Sequence, residues 1–192
     1  MTTWFTSDQH FGHKNIITYS NRPFASVEEM TEELIRRHNE RVAPGDTVYH
    51  VGDFSLSEKL VQPTLARLHG QHILIAGNHD RCHRTHRGWI KWLDRYRKFG
   101  FTRVSHEERL ELDSGLRLLL AHIPYEIDER HGERYAEHRP KDDGLILLHG
   151  HVHEAWAVKR RMINVGVDVR NYAPISVEEI ESIAIDIQRR RN

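Results

Sequence analysis

One cysteine, Cys82, is all the sulfhydryl chemistry this chain has. An intramolecular disulfide is therefore impossible, and a zinc site built on several thiolates is excluded. Net charge is missing as well: 28 Lys plus Arg balance 28 Asp plus Glu. No global basic field exists to hold nucleic acid by its phosphates alone, so any nucleotide recognition has to be local. No apolar run approaches the ~20 residues that span a bilayer. The N-terminus shows no basic segment followed by an apolar stretch and a cleavage site. These absences describe a soluble, cytoplasmic protein without membrane or stable nucleic-acid partners. A length of 192 residues suits one domain with a sizeable core, residues 1–192.

Histidine is abundant instead, with sixteen copies. Most would be surface residues, but some fall into five polar signatures that follow short apolar runs. These are Asp8-Gln9-His10, Gly52-Asp53, Gly77-Asn78-His79-Asp80, Ala121-His122 and Gly150-His151-Val152-His153. The runs Thr3–Ser7, Thr47–Val51, His72–Ala76, Leu116–Ala121 and Leu145–Leu148 read as strands, and Met162–Val169 as a further one. Arg109–Leu112 and Leu116–Ala121 flank Asp113-Ser114-Gly115 as a hairpin. Ser26-x-x-Glu29 and Ser176-x-x-Glu179 are capping boxes that open helices. Further helices are expected over Ser57–Leu68, where Pro63 would kink the helix or delay its start, and over Gly88–Phe99. Glu126–Asp143 is charged and poor in apolar anchors, so it reads as a surface insertion, either a lid or a plain loop.

Strand ends of open α/β sheets are where distant segments gather ligand-binding residues. Every signature offers oxygen or imidazole donors. Two cations about 3.5–4 Å apart need a shared ligand, and a carboxylate can bridge them. Asp53, alone after a glycine, is the natural candidate. Asp8 with His10, and His151 with His153, stand in an i, i+2 relation that points both side chains one way if the backbone is extended. Gly77 would permit the turn that projects Asn78. Such a donor set suits manganese, iron, zinc or similar ions.

The ordered set of five signatures resembles the calcineurin-like metallophosphoesterase superfamily over most of the chain. Ser7–His13 and Asn164–Asp168 are similar to a branch of small phosphoesterases of bacteria and phages. The resemblance implies an α/β fold, with mixed sheets in a β-sandwich flanked by helices. It also implies that Asp8, His10 and His153 hold one ion, that Asp53 bridges, and that Asn78, His122 and His151 complete the second. The ions, manganese first with iron, zinc, cobalt or nickel as alternatives, would activate a water. His79 would face the scissile phosphate, stabilising charge or protonating the departing oxygen, and Asp80 would orient His79. His13 would reach either substrate phosphate or the groups behind the metal ligands, and Asn78 and Arg81 are further candidates for contact with substrate.

The substrate class that follows is a small phosphodiester or phosphomonoester, preferably a nucleotide such as a 2′,3′-cyclic species. A nuclease of the same superfamily is the alternative, weakened by the neutral charge. A catalytically silent interaction module is a third reading, weighed against by the presence of His79 and of every expected ligand. Elsewhere plainer readings prevail: His50 and His149 as buried supports; His38, His69, His72, His106 and His138 as surface or boundary residues; Trp89 and Trp92 as helix packing; Arg81–Arg87 as a solvated loop or a phosphate contact.

Overall fold

The computed structural model describes residues 1–126 and 135–190. Two five-stranded mixed sheets lie face to face, with helices outside them. The first sheet has the order β10-β1-β2-β3-β4. Its strands are β1 (Thr3–Thr6), β2 (Thr47–His50), β3 (Gln71–Ile75), β4 (Arg103–Ser105) and β10 (Ile175–Ser176). The first four run parallel, and β10 is antiparallel to β1. The second sheet has the order β5-β6-β7-β9-β8, from β5 (Glu107–Glu111), β6 (Arg117–Ala121), β7 (Ile146–His149), β8 (Val158–Lys159) and β9 (Met162–Asn164). There β6, β7 and β9 are parallel, and both edges are closed by antiparallel partners.

Strand alternation builds the layers. Phe5, Ile73 and Ile75 of the first sheet face Leu118, Leu120, Ile146, Leu148 and Ile163 of the second, all buried. Leu74, between Ile73 and Ile75, points the other way and joins the helical layer. Leu119, Ala121 and Leu147 cover the outer face of the second sheet. Side chains in a strand alternate between faces, so these runs are buried on both.

The helices are α1 (Ile16–Tyr19), α2 (Val27–Arg41), α3 (Glu58–Leu65), α4 (Ile90–Phe99) and α5 (Val177–Arg189). Met30, Leu34 and Ile35 of α2 pack with Val61 and Leu65 of α3 and Tyr96 of α4. Ile180, Ala184 and Ile187 of α5 close the space between the sheets. The box at Ser176 is complete: its hydroxyl accepts from Glu179 N–H, and the Glu179 carboxylate accepts from Ser176 N–H. At Ser26 the hydroxyl caps Glu29 N–H, but the Glu29 carboxylate reaches one residue further back, to Ala25 N–H.

Three further expectations change. Pro63 does not delay α3, which starts at Glu58 and contains it, but the helix stops at Leu65 rather than Leu68. The segment expected as one strand over Met162–Val169 breaks after Asn164, whose side-chain oxygen accepts from Gly166 N–H and turns the chain into a 3-10 turn over Val167–Val169. His38 and His72 are buried, not boundary residues.

The reason for that burial is a directional chain of neutral imidazoles. The Leu68 carbonyl only accepts, so His72 Nε2–H donates to it (3.3 Å). His72 Nδ1 then accepts from His50 Nε2–H (3.0 Å), and His50 Nδ1 accepts from the Gln9 amide (2.9 Å). His38 lies against both rings and donates to the His69 carbonyl (2.9 Å). Burial pushes His38 down to about 4, lowers His72, and holds His50 well below the usual imidazole range.

These groups stay neutral in the fold but take protons near 6.5 once unfolded. Their contribution to stability is therefore constant above about pH 6.5 and is lost progressively as pH falls towards 4. For His38 the loss is on the order of 3 kcal/mol. Chemical denaturation in chelator from pH 7.5 to 4.5 is expected to show this fall, and a shallower one in His38→Leu. Equal slopes for the two proteins would contradict it.

Candidate metal centre

All five signatures lie just beyond the C-terminal ends of parallel strands: β1 leads to Asp8, β2 to Asp53, β3 to Asn78, β6 to His122 and β7 to His151. A bridge between Ser7 and Gly166 joins the sheets at that edge. The loops after β1 and β2 are zipped together: Asp8 N–H donates to Gly52 O, His10 N–H to Asp53 O and Phe11 N–H to Phe54 O, each 3.0 Å.

The expected ligands converge by a route different from strand alternation. Asp8, His10, Asp53, His151 and His153 all have left-handed backbone, with φ of 58°, 53°, 55°, 73° and 46°. The i, i+2 pairs therefore meet through strained turns rather than along extended chain. Left-handed backbone is costly for residues other than glycine, and clusters of it mark sites where the surroundings impose the geometry. Gly77 corrects a second expectation. It is not left-handed, and its role is close approach: a Cβ there would lie 2.2 Å from Asp53 Oδ1. Likewise a Cβ on Gly150 would lie 2.2 Å from Asp8 Oδ2.

Two groups of donor atoms result. Asp8, His10 and His153 form one, and Asp8, Asp53 and His122 the other, with the ligand atoms of each group mutually within 4.8 Å. Asp8 thus belongs to both. Asp53 Oδ2 also lies between them, 3.5 Å from His10 Nε2 and 3.3 Å from His122 Nε2. Asn78 Oδ1 is 3.2 Å from His122 Nε2. His151 stands next to this second group, its ring 5.3 Å from that of His122. Its backbone N–H holds both oxygens of Asp8 at 3.1 Å.

The tautomers suit metal binding. His122 Nδ1–H donates to the Val51 carbonyl (2.8 Å), and His153 Nδ1–H to Asp168 Oδ2 (2.9 Å). Each ring thereby turns Nε2 towards the carboxylates. His10 Nε2 is buried with no hydrogen-bond partner among the described residues, although Asp53 Oδ2 lies 3.5 Å away. An orphaned imidazole nitrogen amid buried carboxylates is what a cation would satisfy, and the oxygen and imidazole donors fit a divalent ion.

Burial raises Asp8. Burial would also raise Asp53, but the His122 charge and hydrogen bond, helped by His79 and His10, outweigh it and hold Asp53 well below the usual carboxylate range. His122 is pushed up to about 9, because Asp53 overcomes its burial. Burial keeps His10 well below 6.5 and lowers His13.

His79 is at the open rim, its side chain 42% exposed. Its backbone N–H donates to Asp53 Oδ1 (2.8 Å), its Nε2 is 4.0 Å from Asp53 Oδ2, and its ring is 5.3 Å from that of His10. Asp80 does not orient this ring. Both its oxygens accept from backbone N–H groups: Asp53 and Gly77 at 2.9 Å and Phe54 at 3.2 Å. It is a scaffold for the Asp53 loop, pushed up to about 7 by burial and by the Asp53 charge. His13 Nδ1 is 3.4 Å from His10 Nδ1. Arg81 lies apart from the donor groups, 4.0 Å from Glu58 and over the Trp92 ring.

His50 and His149 are fully buried supports, the latter bonded to Gly150 O (2.7 Å) and packed on Trp156. Trp92 packs on the helical core and Trp89 on His106. His86, in the basic stretch, braces the Asn78 carbonyl at 2.9 Å. The central part of the 126–143 insertion expected as a lid or a plain loop, residues 127–134, lies outside the described residues. Its C-terminal flank places the Tyr135 ring 5.7 Å from that of His151. Arg22 and the role of Asp168 escaped the sequence reading, since no local pattern links residues so far apart.

Fold and site together define a phosphoesterase-type α/β sandwich with a metal-capable edge. The description "Calcineurin-like phosphoesterase superfamily domain" matches residues 1–174, and the chain belongs to that superfamily. It is 35% identical over 187 residues to an uncharacterised protein, MJ1445, of Methanocaldococcus jannaschii, covering 92% of this chain and 88% of that one. It is also 35% identical over 185 residues to the gene 66 protein of Mycobacterium phage L5, covering 86% of each. Among solved structures, the protein of unknown function AQ665 from Aquifex aeolicus superposes with a TM-score of 0.69 at 27% identity, covering 95% of this chain and 98% of that one. No helix among the described residues is long and apolar enough to cross a membrane.

Proposed function

We propose that the chain is a phosphoester hydrolase using two divalent ions, manganese first, on a small phosphodiester or phosphomonoester of the nucleotide class. The observation that carries this reading is the pair of adjacent donor groups sharing Asp8, with the exposed His79 at their rim. Asp8, His10 and His153 are assigned to one ion, Asn78, His122 and His151 to the other, and Asp53 to both. When bound, such ions supply Lewis-acid polarisation of the ester and lower the pKa of water towards neutrality.

The chain's own groups do the rest. His79, anchored through its N–H to Asp53, offers an accessible imidazole to protonate the leaving oxygen. Asp80 fixes the Asp53 turn from behind. His13 and the Asn78 amide border the cluster where phosphate oxygens would lie. Arg81 reaches them only by leaving Glu58. Beside His13, Tyr19 is 70% exposed, with ring centroids 6.2 Å apart, which provides an aromatic surface for a base next to the phosphate position.

The test is turnover, with added manganese, of bis-p-nitrophenyl phosphate, 2′,3′- and 3′,5′-cyclic nucleotides, nucleoside monophosphates, glycerol 1,2-cyclic phosphate and single-stranded DNA. Hydrolysis of a nucleotide in preference to the base-free cyclic phosphate is expected. Preference for single-stranded DNA would replace this reading by a nuclease, and no turnover of any ester would overturn it.

A further inference from the structure

Arg22 is buried in the segment between α1 and α2, and its guanidinium has every direction committed. Nε and Nη2 donate to the two oxygens of Asp168 (2.7 and 2.9 Å). Nη2 also donates to Asp8 O (2.7 Å), and Nη1 to Gln9 O (3.0 Å). Asp168, on the 3-10 turn after β9, in turn accepts from His153 Nδ1–H. One fork therefore meets one carboxylate in a planar, bidentate arrangement, with both side chains at most 1% exposed.

The consequences fall chiefly on one donor group, all of whose members this pair touches directly or through Gln9, whereas the other shares only Asp8 with it. The carbonyl tethers hold the left-handed Asp8 and the residue that carries the chain on to the left-handed His10. The Asp168 carboxylate fixes the His153 tautomer that leaves the Nε2 lone pair free. Asp8, His10 and His153 are thus all set by the same ion pair. The other two members of the second group are held differently, Asp53 by Asp80 and His122 by the Val51 carbonyl.

We propose that Arg22 and Asp168 are positioning residues chiefly for the Asp8–His10–His153 site, and that they set its cation affinity more strongly than that of the site at Asp53 and His122, which shares only Asp8 with it. This rests on the two-ion reading above. Partners that orient a ligating histidine are worth about 10–100-fold in metal affinity.

Asp168→Asn is the sharp variant. It keeps the shape, but its amide offers one acceptor oxygen where the carboxylate has two, so it cannot accept from Arg22 Nε, Arg22 Nη2 and His153 Nδ1–H together, and one of these donors is left facing an N–H. Because it leaves Arg22 buried without its counter-charge, an Arg22→Met/Asp168→Leu double variant accompanies it and removes both charges together. Manganese binding is measured by equilibrium dialysis, with circular dichroism and thermal melting in chelator to establish the fold. The wild-type chain is expected to bind two equivalents. Both variants are expected to weaken one equivalent at least 10-fold and to change the Kd of the other far less, and His122→Ala is expected to affect the opposite equivalent.

Two equivalents with wild-type affinities in both folded variants would overturn the proposal. So would an equal weakening of both sites, which is what a merely structural role produces. A wild-type chain that binds a single ion would contradict the two-ion reading instead; the pair is then judged on that ion, and no change in its Kd on Asp168→Asn would overturn the positioning role.

Discussion

Replacing His79 by alanine is expected to reduce turnover about 10²–10⁴-fold, the usual worth of a positioned general acid, with both metal equivalents retained. The reasoning is geometric. His79 is the exposed imidazole at the rim of the cluster, and its Nε2 is 4.0 Å from Asp53 Oδ2, further away than the corresponding atoms of His10 and His122. It belongs to neither donor group. Its link to the cluster is its backbone N–H, which the substitution keeps. The defect should be smallest for esters with a good leaving group such as p-nitrophenolate, which needs little protonation, and largest for alkoxide leaving groups. Kinetics on both ester types, with metal analysis of the same samples, check this. Loss of an ion from the variant would make His79 a ligand.

Asp80→Ala is expected to be more damaging to the protein itself. Three buried backbone N–H groups, of Asp53, Phe54 and Gly77, lose their acceptor at once. At about 1–3 kcal/mol for each unsatisfied buried group, the loss is on the order of 4 kcal/mol, a large part of a domain's stability. The left-handed turn that carries Asp53 loses its brace, so the cation at the Asp53–His122 site should go too. Had Asp80 worked by orienting His79, the variant would resemble His79→Ala: folded, metal-loaded and slow. Denaturant titration and metal content separate the outcomes, and a stable, fully loaded Asp80→Ala protein would contradict the scaffold role.

The comparison of Asp80 and His79 shows where the sequence was informative. Strand ends and their order were legible because each signature follows a short run buried on both faces, such as Leu118–Ala121 or Ile146–His149. The identity of the donor residues was legible because carboxylate, amide and imidazole recur there in fixed order. What a side chain bonds to was not. Asp80 beside His79 reads as an imidazole partner, but the left-handed turn after the neighbouring strand β2 takes its oxygens instead. His38 and His72 look polar in isolation, and only the register of α2 against β2 and β3 reveals the chain that satisfies them. Arg22 and Asp168 are 146 residues apart and meet only because Ser7 and Gly166 pair. The premature end of β9 likewise follows from an Asn164 side chain that competes with the ladder, a contest the pattern of apolar residues does not encode.

The most direct measurement is the stoichiometry of manganese on the purified chain, taken together with its turnover of bis-p-nitrophenyl phosphate before and after chelation. Two equivalents per chain are predicted, with hydrolysis lost in chelator and restored by readdition, and with Asp53→Ala binding neither ion tightly. A folded chain that binds no divalent ion, or one that hydrolyses the ester equally well in chelator, would contradict the account.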